Sequence, residues 1–244
     1  MSGHSKWAGI KHKKAIIDAK RGKVFTRVVR ELTIAAKQGG NSESNARLRK
    51  AIEDAKAANM PAENVKKAIQ RGTGELPGVT YEELVYEGYG PSGVAIMVEV
   101  TTDNKNRTHS EIKKIFSSHG GNLGESGCVN WMFQPKGYIA IDKSKAKEDE
   151  LMNIAIENGA EDVKTEDENL FEIITHPADF EKVKKALTDN KIEIEAAENT
   201  MLPTTYIQLE GNDARKMLEL IDEMEGHDDV KNVYSNFEIV EEPK

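Results

Sequence analysis

The chain has 244 residues, with 34 Lys and Arg against 42 Asp and Glu and a formal net charge of −8. At roughly 100–200 residues per domain, the length fits one large domain or two to three small ones, and 38% hydrophobic with 31% charged residues favours several small cores. No run of about 18 apolar residues exists to form a transmembrane helix, MSGHSKWAGIKHKK has no apolar secretory core, and one cysteine, Cys128, excludes an internal disulfide framework and fits a reducing cytoplasm.

The charge is unevenly spread. Residues 1–74 carry 17 Lys and Arg against 6 Asp and Glu, a net of +11, whereas residues 75–244 carry 17 against 36, a net of −19. A basic module on an acidic body points to a polyanionic partner that the mean charge conceals. Lys6, Lys11, Lys13, Lys14, Lys20, Arg21 and Lys23 crowd the first residues, with Trp7 and His12 among them and only Asp18 to offset them. Lysines attract phosphates regardless of sequence. Trp7 either stacks on an unpaired base or anchors the arm on apolar neighbours.

Lys23, Arg27, Arg30 and Lys37 are spaced 4, 3 and 7 apart. On a helix they form one stripe, with Phe25, Val28, Val29, Leu32 and Ala36 on the opposite face. Gly39-Gly40 ends that helix. Residues 44–58 read as a second helix, with Leu48, Ala51, Ile52 and Ala55 on one side and Arg47, Arg49, Lys50 and Lys56 elsewhere. Pro61 opens a third, in which Val65, Ala68 and Ile69 form the apolar stripe and Gly72-Thr73-Gly74 stops the run. Residues 1–74 are therefore expected to be a basic, helical nucleic-acid-binding domain, joined to the rest by a linker around Glu75–Thr80.

Beyond the linker the hydrophobic period changes. Tyr81–Tyr89 and Val94–Thr102 read as strands. Thr108, with Glu111 three residues on, reads as the capping box of a helix carrying Ile112, Ile115 and Phe116 and ending at Gly120-Gly121. Val129–Phe133 reads as a further strand. From Gly137 the order is strand (YIAID), helix (149–158), a short strand near Gly159–Val163, strand (LFEIIT), helix (178–190) and strand (192–198). Residues 204–240 add strand (TYIQLE), helix (213–224) and strand (VKNVYSNFEIV). The pattern predicts an α+β multi-domain chain: the helical domain, then two small α/β domains of ferredoxin-like type, one inserted in the other. The expected divisions are 1–74, 80–134 with 204–240, and the insert 137–202.

Few motifs carry chemistry. Gly88-Tyr-Gly-Pro-Ser-Gly93 satisfies G-x-G-x-x-G, but a strand rather than a helix follows and Pro91 lies inside, so it reads as a turn. No P-loop, H-E-x-x-H or G-x-S-x-G element occurs. Cys128 has no local activator, the carboxylates form no acid–base pair, and the histidines lack metal-ligand spacing. No catalytic residue, metal, cofactor or small-molecule substrate is expected, nor is a membrane partner. In the acidic body, Asp103-Asn104-Lys105-Asn106-Arg107-Thr108 gathers amides and cations before a helix. Asn104, Asn106 and Arg107 either contact phosphates and base edges or form a polar turn with its cap.

MSGHSKWAGIKHKKAIIDAKRGKVF, YEGYGPSGVAIMVEVTTDNKNRT and GGNLGESGCVNWMF, in this order, resemble the signature blocks of the YebC family, and the similarity runs through RLRKAIEDAKAANMP to IDEMEGHDDVKNVYSNFE. Gly9 stands where Asn is usual and Cys128 where Ser is usual; neither touches the cationic pattern. The family includes probable transcriptional regulators and a mitochondrial translational activator of cytochrome oxidase subunit I. The resemblance implies three domains, a cytoplasmic location, and DNA-binding regulation of transcription. It also implies an alternative, association with ribosomes and ribosomal RNA to help translation. The residues themselves fit a non-enzymatic nucleic-acid-binding regulator, with DNA or ribosomal RNA as partner, since phosphates are common to both. An acidic protein-interaction adaptor is the second class.

Overall fold

The computed structural model describes residues 21–240, in which seven α-helices and ten strands form a mixed α/β chain with largely antiparallel sheets. Helices α1 (Arg21–Ala36), α2 (Ala46–Ala57) and α3 (Ala62–Thr73) come first. Leu32, Ala35, Ala36, Leu48, Ala51, Ala55, Met60 and Ala68 make their shared core. One buried amide joins the first two helices. Asn45 Nδ2 donates to the Ala35 and Gly39 carbonyls, at 2.7 and 2.9 Å, while its Oδ1 caps α2 by accepting from Leu48 N at 3.0 Å. Gly74, at φ +82°, ends α3 in the left-handed conformation that favours glycine.

In the body, β1 (Glu82–Tyr89), β2 (Ala95–Thr102), β3 (Asn122–Leu123) and β9 (Val230–Ser235) form one sheet in the order β3-β1-β2-β9, all antiparallel. The G-x-G-x-x-G run forms the end of β1 and the connection from it to β2. A short 3-10 turn over Pro91–Gly93 leads straight into the second strand, with no helix for a pyrophosphate. Ile96, Val98 and Val100 face α4 (Lys105–Ser118) and α7 (Gly211–Gly226), whereas Ala95 and Met97 face Val129 and Phe133. Burial on both faces explains the nearly continuous apolar run of β2.

The second sheet has the order β5-β6-β4-β7, built from β4 (Phe133–Asp142), β5 (Ala160–Lys164), β6 (Leu170–Thr175) and β7 (Ala196–Pro203). Its helices α5 (Glu148–Glu157) and α6 (Phe180–Asp189) pack Leu151, Ala155, Phe180, Val183 and Leu187 on Ile139, Ile141, Phe171 and Ile173. Strands β8 (Ile207–Leu209) and β10 (Phe237–Ile239) form a separate parallel pair. No helix among the described residues is long and apolar enough to cross a membrane.

Four sequence expectations are corrected. Helix α4 begins at Lys105 rather than Thr108, because Asn104 is its cap and accepts from Arg107 N at 3.1 Å. Residues 129–132 are no strand: the backbone N–H groups of Gly127, Val129 and Asn130 go to the buried Glu87 carboxylate, not to a neighbouring strand. The strand expected at 192–198 starts at Ala196 and runs on to Pro203 along β4. VKNVYSNFEIV is two strands, divided at buried Asn236. That residue exchanges hydrogen bonds with Ala95 in one sheet and accepts from Ile207 N, beside the other.

Candidate nucleic-acid interface

The last four carbonyls of a helix lack intrahelical donors and carry the negative end of its dipole. At the end of α7 this deficit meets α1. Arg27 Nη2 donates to the Glu225 carbonyl and, at 3.4 Å, to that of His227. One turn along, Arg30 Nη1 donates to the Asp228 carbonyl and pairs with the Asp229 carboxylate at 2.9 Å. The Arg30 side chain is only 12% exposed and that of Asp229 3%, so water screens this pair little. The guanidinium also lies 5.6 Å from the centre of the Tyr81 ring. Burial moves the Arg27 pKa down, against the opposing charges of Glu225 and Asp228. The expectation of an open cationic stripe is corrected here: Arg27 and Arg30 face the body. Lys37 is exposed, with Nζ 2.7 Å from the Tyr81 carbonyl.

A second set of charges joins the same two parts. Arg47 pairs with Glu31 at 2.7 Å and Glu83 at 2.6 Å, and Lys231 approaches the same carboxylates at 2.9 and 3.6 Å. Burial works to raise the Glu31 pKa, but hydrogen bonds from Arg47 and Lys231 hold it below the usual glutamate value. Arg47 likewise keeps Glu83 low and has its own pKa raised by the two carboxylates. Arg47 is thus another residue of the expected interface that is committed internally. Arg49 is exposed and donates to the Ser42 and Glu43 carbonyls, and Lys50 is exposed beside Asp54 at 2.6 Å. On the outer faces of α2 and α3, Lys56, Lys66 and Arg71 are exposed and make no ion pair among the described residues. Lys6, Trp7, Lys11, Lys13, Lys14 and Lys20 lie outside the described residues, as do the side chains of Arg21 and Lys23.

The Asn104–Arg107 segment is also tied to this junction. Asn104 and Asn106 are exposed in the cap and first turn of α4. Arg107 Nη2 lies 2.8 Å from both Asp103 and Asp229. Asp229 further accepts from Thr108 Oγ1 at 2.6 Å and Thr102 Oγ1 at 3.1 Å. Burial alone would raise its pKa, but the Thr108 and Arg107 hydrogen bonds and the Arg30 charge hold it below the usual aspartate value. Glu111, His227 and Asp229 bring donor atoms within 4.8 Å of one another. Two guanidinium groups already occupy Asp229, however, and His227 Nε2 is 2.9 Å from Glu111, so this set is an ion-pair network and does not suit a cation.

Three organising residues escaped the sequence reading: Asp229, Glu87 and Trp131. Asp229 and Glu87 have no local signal, because their partners lie far away in the chain. Glu87 is 5% exposed and accepts from Gly127 N at 2.7 Å and from Val129 N and Asn130 N at 2.8 Å. Burial works to raise its pKa and these three hydrogen bonds lower it below the usual glutamate value. Burial and the Glu87 charge push the adjacent Cys128 thiol up, away from the reactive thiolate. Trp131, 70% exposed, follows at the end of this loop.

The TACO1/YebC protein N-terminal domain matches residues 5–75, and the TACO1/YebC second and third domain matches residues 81–237. A "Probable transcriptional regulatory protein" of Endomicrobium trichonymphae is 61% identical over 244 residues, spanning 99% of this chain and 97% of that one. One of the same name from Elusimicrobium minutum is 57% identical over 244 residues, with shares of 99% and 97%. The crystal structure of a conserved hypothetical protein from Aquifex aeolicus, 49% identical, aligns with a TM-score of 0.82 over 98% of both chains. The helical bundle, the three sheets and the junction of bundle and body at Asp229 are thus those of a chain that belongs to the TACO1/YebC family.

Proposed function

We propose that the protein is a non-enzymatic, cytoplasmic regulator that binds nucleic acid through its basic helical module and acts on transcription. The observation that carries this reading is the set of exposed cations Lys56, Lys66 and Arg71, which make no ion pair among the described residues, on a bundle with few carboxylates in an otherwise acidic chain. The lysines of residues 6–20 add to that field. The relatives' name, "Probable transcriptional regulatory protein", supports regulation at the level of transcription. Arg27, Arg30 and Arg47 serve to hold the bundle on the body, leaving Lys37, Arg49, Lys50 and the outer residues of α2 and α3 for phosphates.

A second reading, binding to ribosomal RNA, is favoured by one observation. The outward residues of α2 and α3 are mainly Lys, Glu and Arg, with no cluster of Asn, Gln and Arg suited to reading base edges in a major groove. Contacts of this kind position a protein on phosphates without specifying sequence.

Charge reversal tests both readings. The variant K56E/K66E/R71E should weaken binding to DNA and RNA alike and flatten the dependence on salt, by about 0.9 in logarithmic slope per lost duplex-DNA phosphate contact. Unchanged affinity and slope would reduce these cations to a solvated surface. In-cell crosslinking with ribosome co-sedimentation separates the targets. Enriched promoter fragments without ribosomal RNA would support transcription; ribosomal RNA without promoter enrichment would sink it in favour of the second reading.

A further inference from the structure

A soluble protein gains no stability from holding a large aromatic ring in water, yet this chain fixes one there. Trp131 is 70% exposed, the most exposed of the large hydrophobic residues described. Its Nε1 donates to the Cys128 carbonyl at 3.1 Å, and the same carbonyl accepts from Tyr89 OH at 3.1 Å. The backbone before it is held by three N–H bonds to Glu87, and the backbone after it by Thr204, whose N donates to the Met132 carbonyl at 2.9 Å. The only polar atom of the indole is therefore used internally, and the ring offers its π surface.

We propose that Trp131 is a stacking platform for an unpaired nucleic-acid base, a second contact at a distance from the helical module. The inference rests on the nucleic-acid reading above. Base stacking is tolerant of sequence because every base has a π face. Two features favour a base over an apolar protein pocket. Protein hot spots are ringed by contacts that exclude water, whereas the residues around Trp131 in the chain, Glu125, Ser126, Asn130 and Gln134, are polar and exposed. The exposed amides of Asn130 and Gln134 can each donate to and accept from a base edge. The charges here are few and mainly acidic, Glu87 and Glu125 against Lys136, so the contact proposed is with the face and edge of a base and not with phosphate. The Glu87 carboxylate is buried among N–H donors, and Lys136 pairs with Glu161. The module side of the first sheet is its other end. Glu83 and Thr101 lie near α1 and α2, while Tyr89, Ala95 and Met97 lie beside the Trp131 loop, so one strand must extend along the sheet to touch both.

The test uses the full chain labelled with 5-fluorotryptophan. Two tryptophans give two fluorine resonances, and the one missing in W131F belongs to Trp131. Single-stranded oligouridylate and oligoadenylate should move that resonance, and duplexes of equal length should leave it in place. W131A should bind single strands about 5- to 100-fold more weakly, with W131F retaining most of the affinity. Because the ring is exposed, circular dichroism of W131A should match the parent. If single strands bind while the Trp131 resonance stays still and W131A binds normally, this proposal is overturned and the nucleic-acid reading stands. If neither single strands nor duplexes bind, both fall together. A resonance that ignores every oligonucleotide but moves with RNA-stripped ribosomal proteins would make Trp131 a protein-docking residue, which also overturns the proposal.

Discussion

A buried carboxylate keeps its charge only where donors replace the water it has lost. Glu87 meets this condition with backbone alone, collecting three N–H groups from residues 127–130 and thereby setting the path of the chain to Trp131. Its folded pKa lies below the ordinary value of 4.5. The stabilisation is therefore complete above that value and is lost as the pH falls through the depressed one. Amide hydrogen exchange, followed as the pH is lowered from about 6 to about 3, should show Gly127, Val129 and Asn130 losing protection in that lower window. E87Q, which replaces one acceptor oxygen by an NH2 group, should show the loss already at neutral pH. Equal protection in the variant and the parent would mean that the loop holds its shape without the carboxylate. The sequence places a glutamate in an alternating strand and so suggests an exposed position, because the three donors lie about forty residues away.

Among the elements, α1 and α3 owe their close approach to one missing side chain. A Cβ on Gly72 would lie 2.3 Å from the Thr33 carbonyl oxygen and 2.6 Å from the Ala36 Cβ, so α3 crosses α1 nearly in backbone contact. Placing Gly72-Thr73-Gly74 at the end of a helix is correct, but assigning all three to termination is incomplete. Gly74 ends the helix, and Gly72 lets it pack. G72A should push the two helices apart and cost about 1–3 kcal/mol, read as a lower urea midpoint. A midpoint equal to that of the parent would show that the bundle relaxes without cost. The helix periods of α1, α2 and α3 are legible in the sequence because each apolar stripe is contained in its own segment. Start sites are less so: Asn104 and Thr108 both offer a side-chain oxygen, and the competition is settled by Asp229, which draws the Thr108 hydroxyl inward.

For the whole molecule, Asp229 is where the bundle and the body meet. It pairs with Arg30 of α1 and Arg107 of α4 and holds Thr102 and Thr108, so its loss leaves the half-buried Arg30 beside the end of α7 without its carboxylate, while Arg107 keeps Asp103. D229N keeps the shape and removes the charge. It should lower stability by about 3 kcal/mol, the scale for breaking a buried pair by changing one partner. It should also broaden the distance distribution between spin labels on the exposed faces of α3 and α6. A narrow distribution at parental stability would show that apolar packing alone joins the two parts. The outer pairs Arg47–Glu83 and Lys231–Glu83 are more exposed and should weaken with salt where Arg30–Asp229 does not.

The division of charge at residues 74 and 75, the helical bundle, the alternating strands and helices of the body, and membership of the family are all written in local composition, periodicity and motif. These depend on neighbours within a few residues, which a sequence displays directly. The partners of the cations were not available in that form. Arg27 and Arg30 have the spacing of a phosphate-facing stripe, but about two hundred residues separate them from the helix end that they satisfy. Strand partners, the division at Asn236 and the exposure of Trp131 were decided in the same way. Each follows from which groups meet when distant segments pack: burial favours matching donors to acceptors, as the Nη atoms of Arg27 and Arg30 are matched, although their Nε atoms have no partner among the described residues.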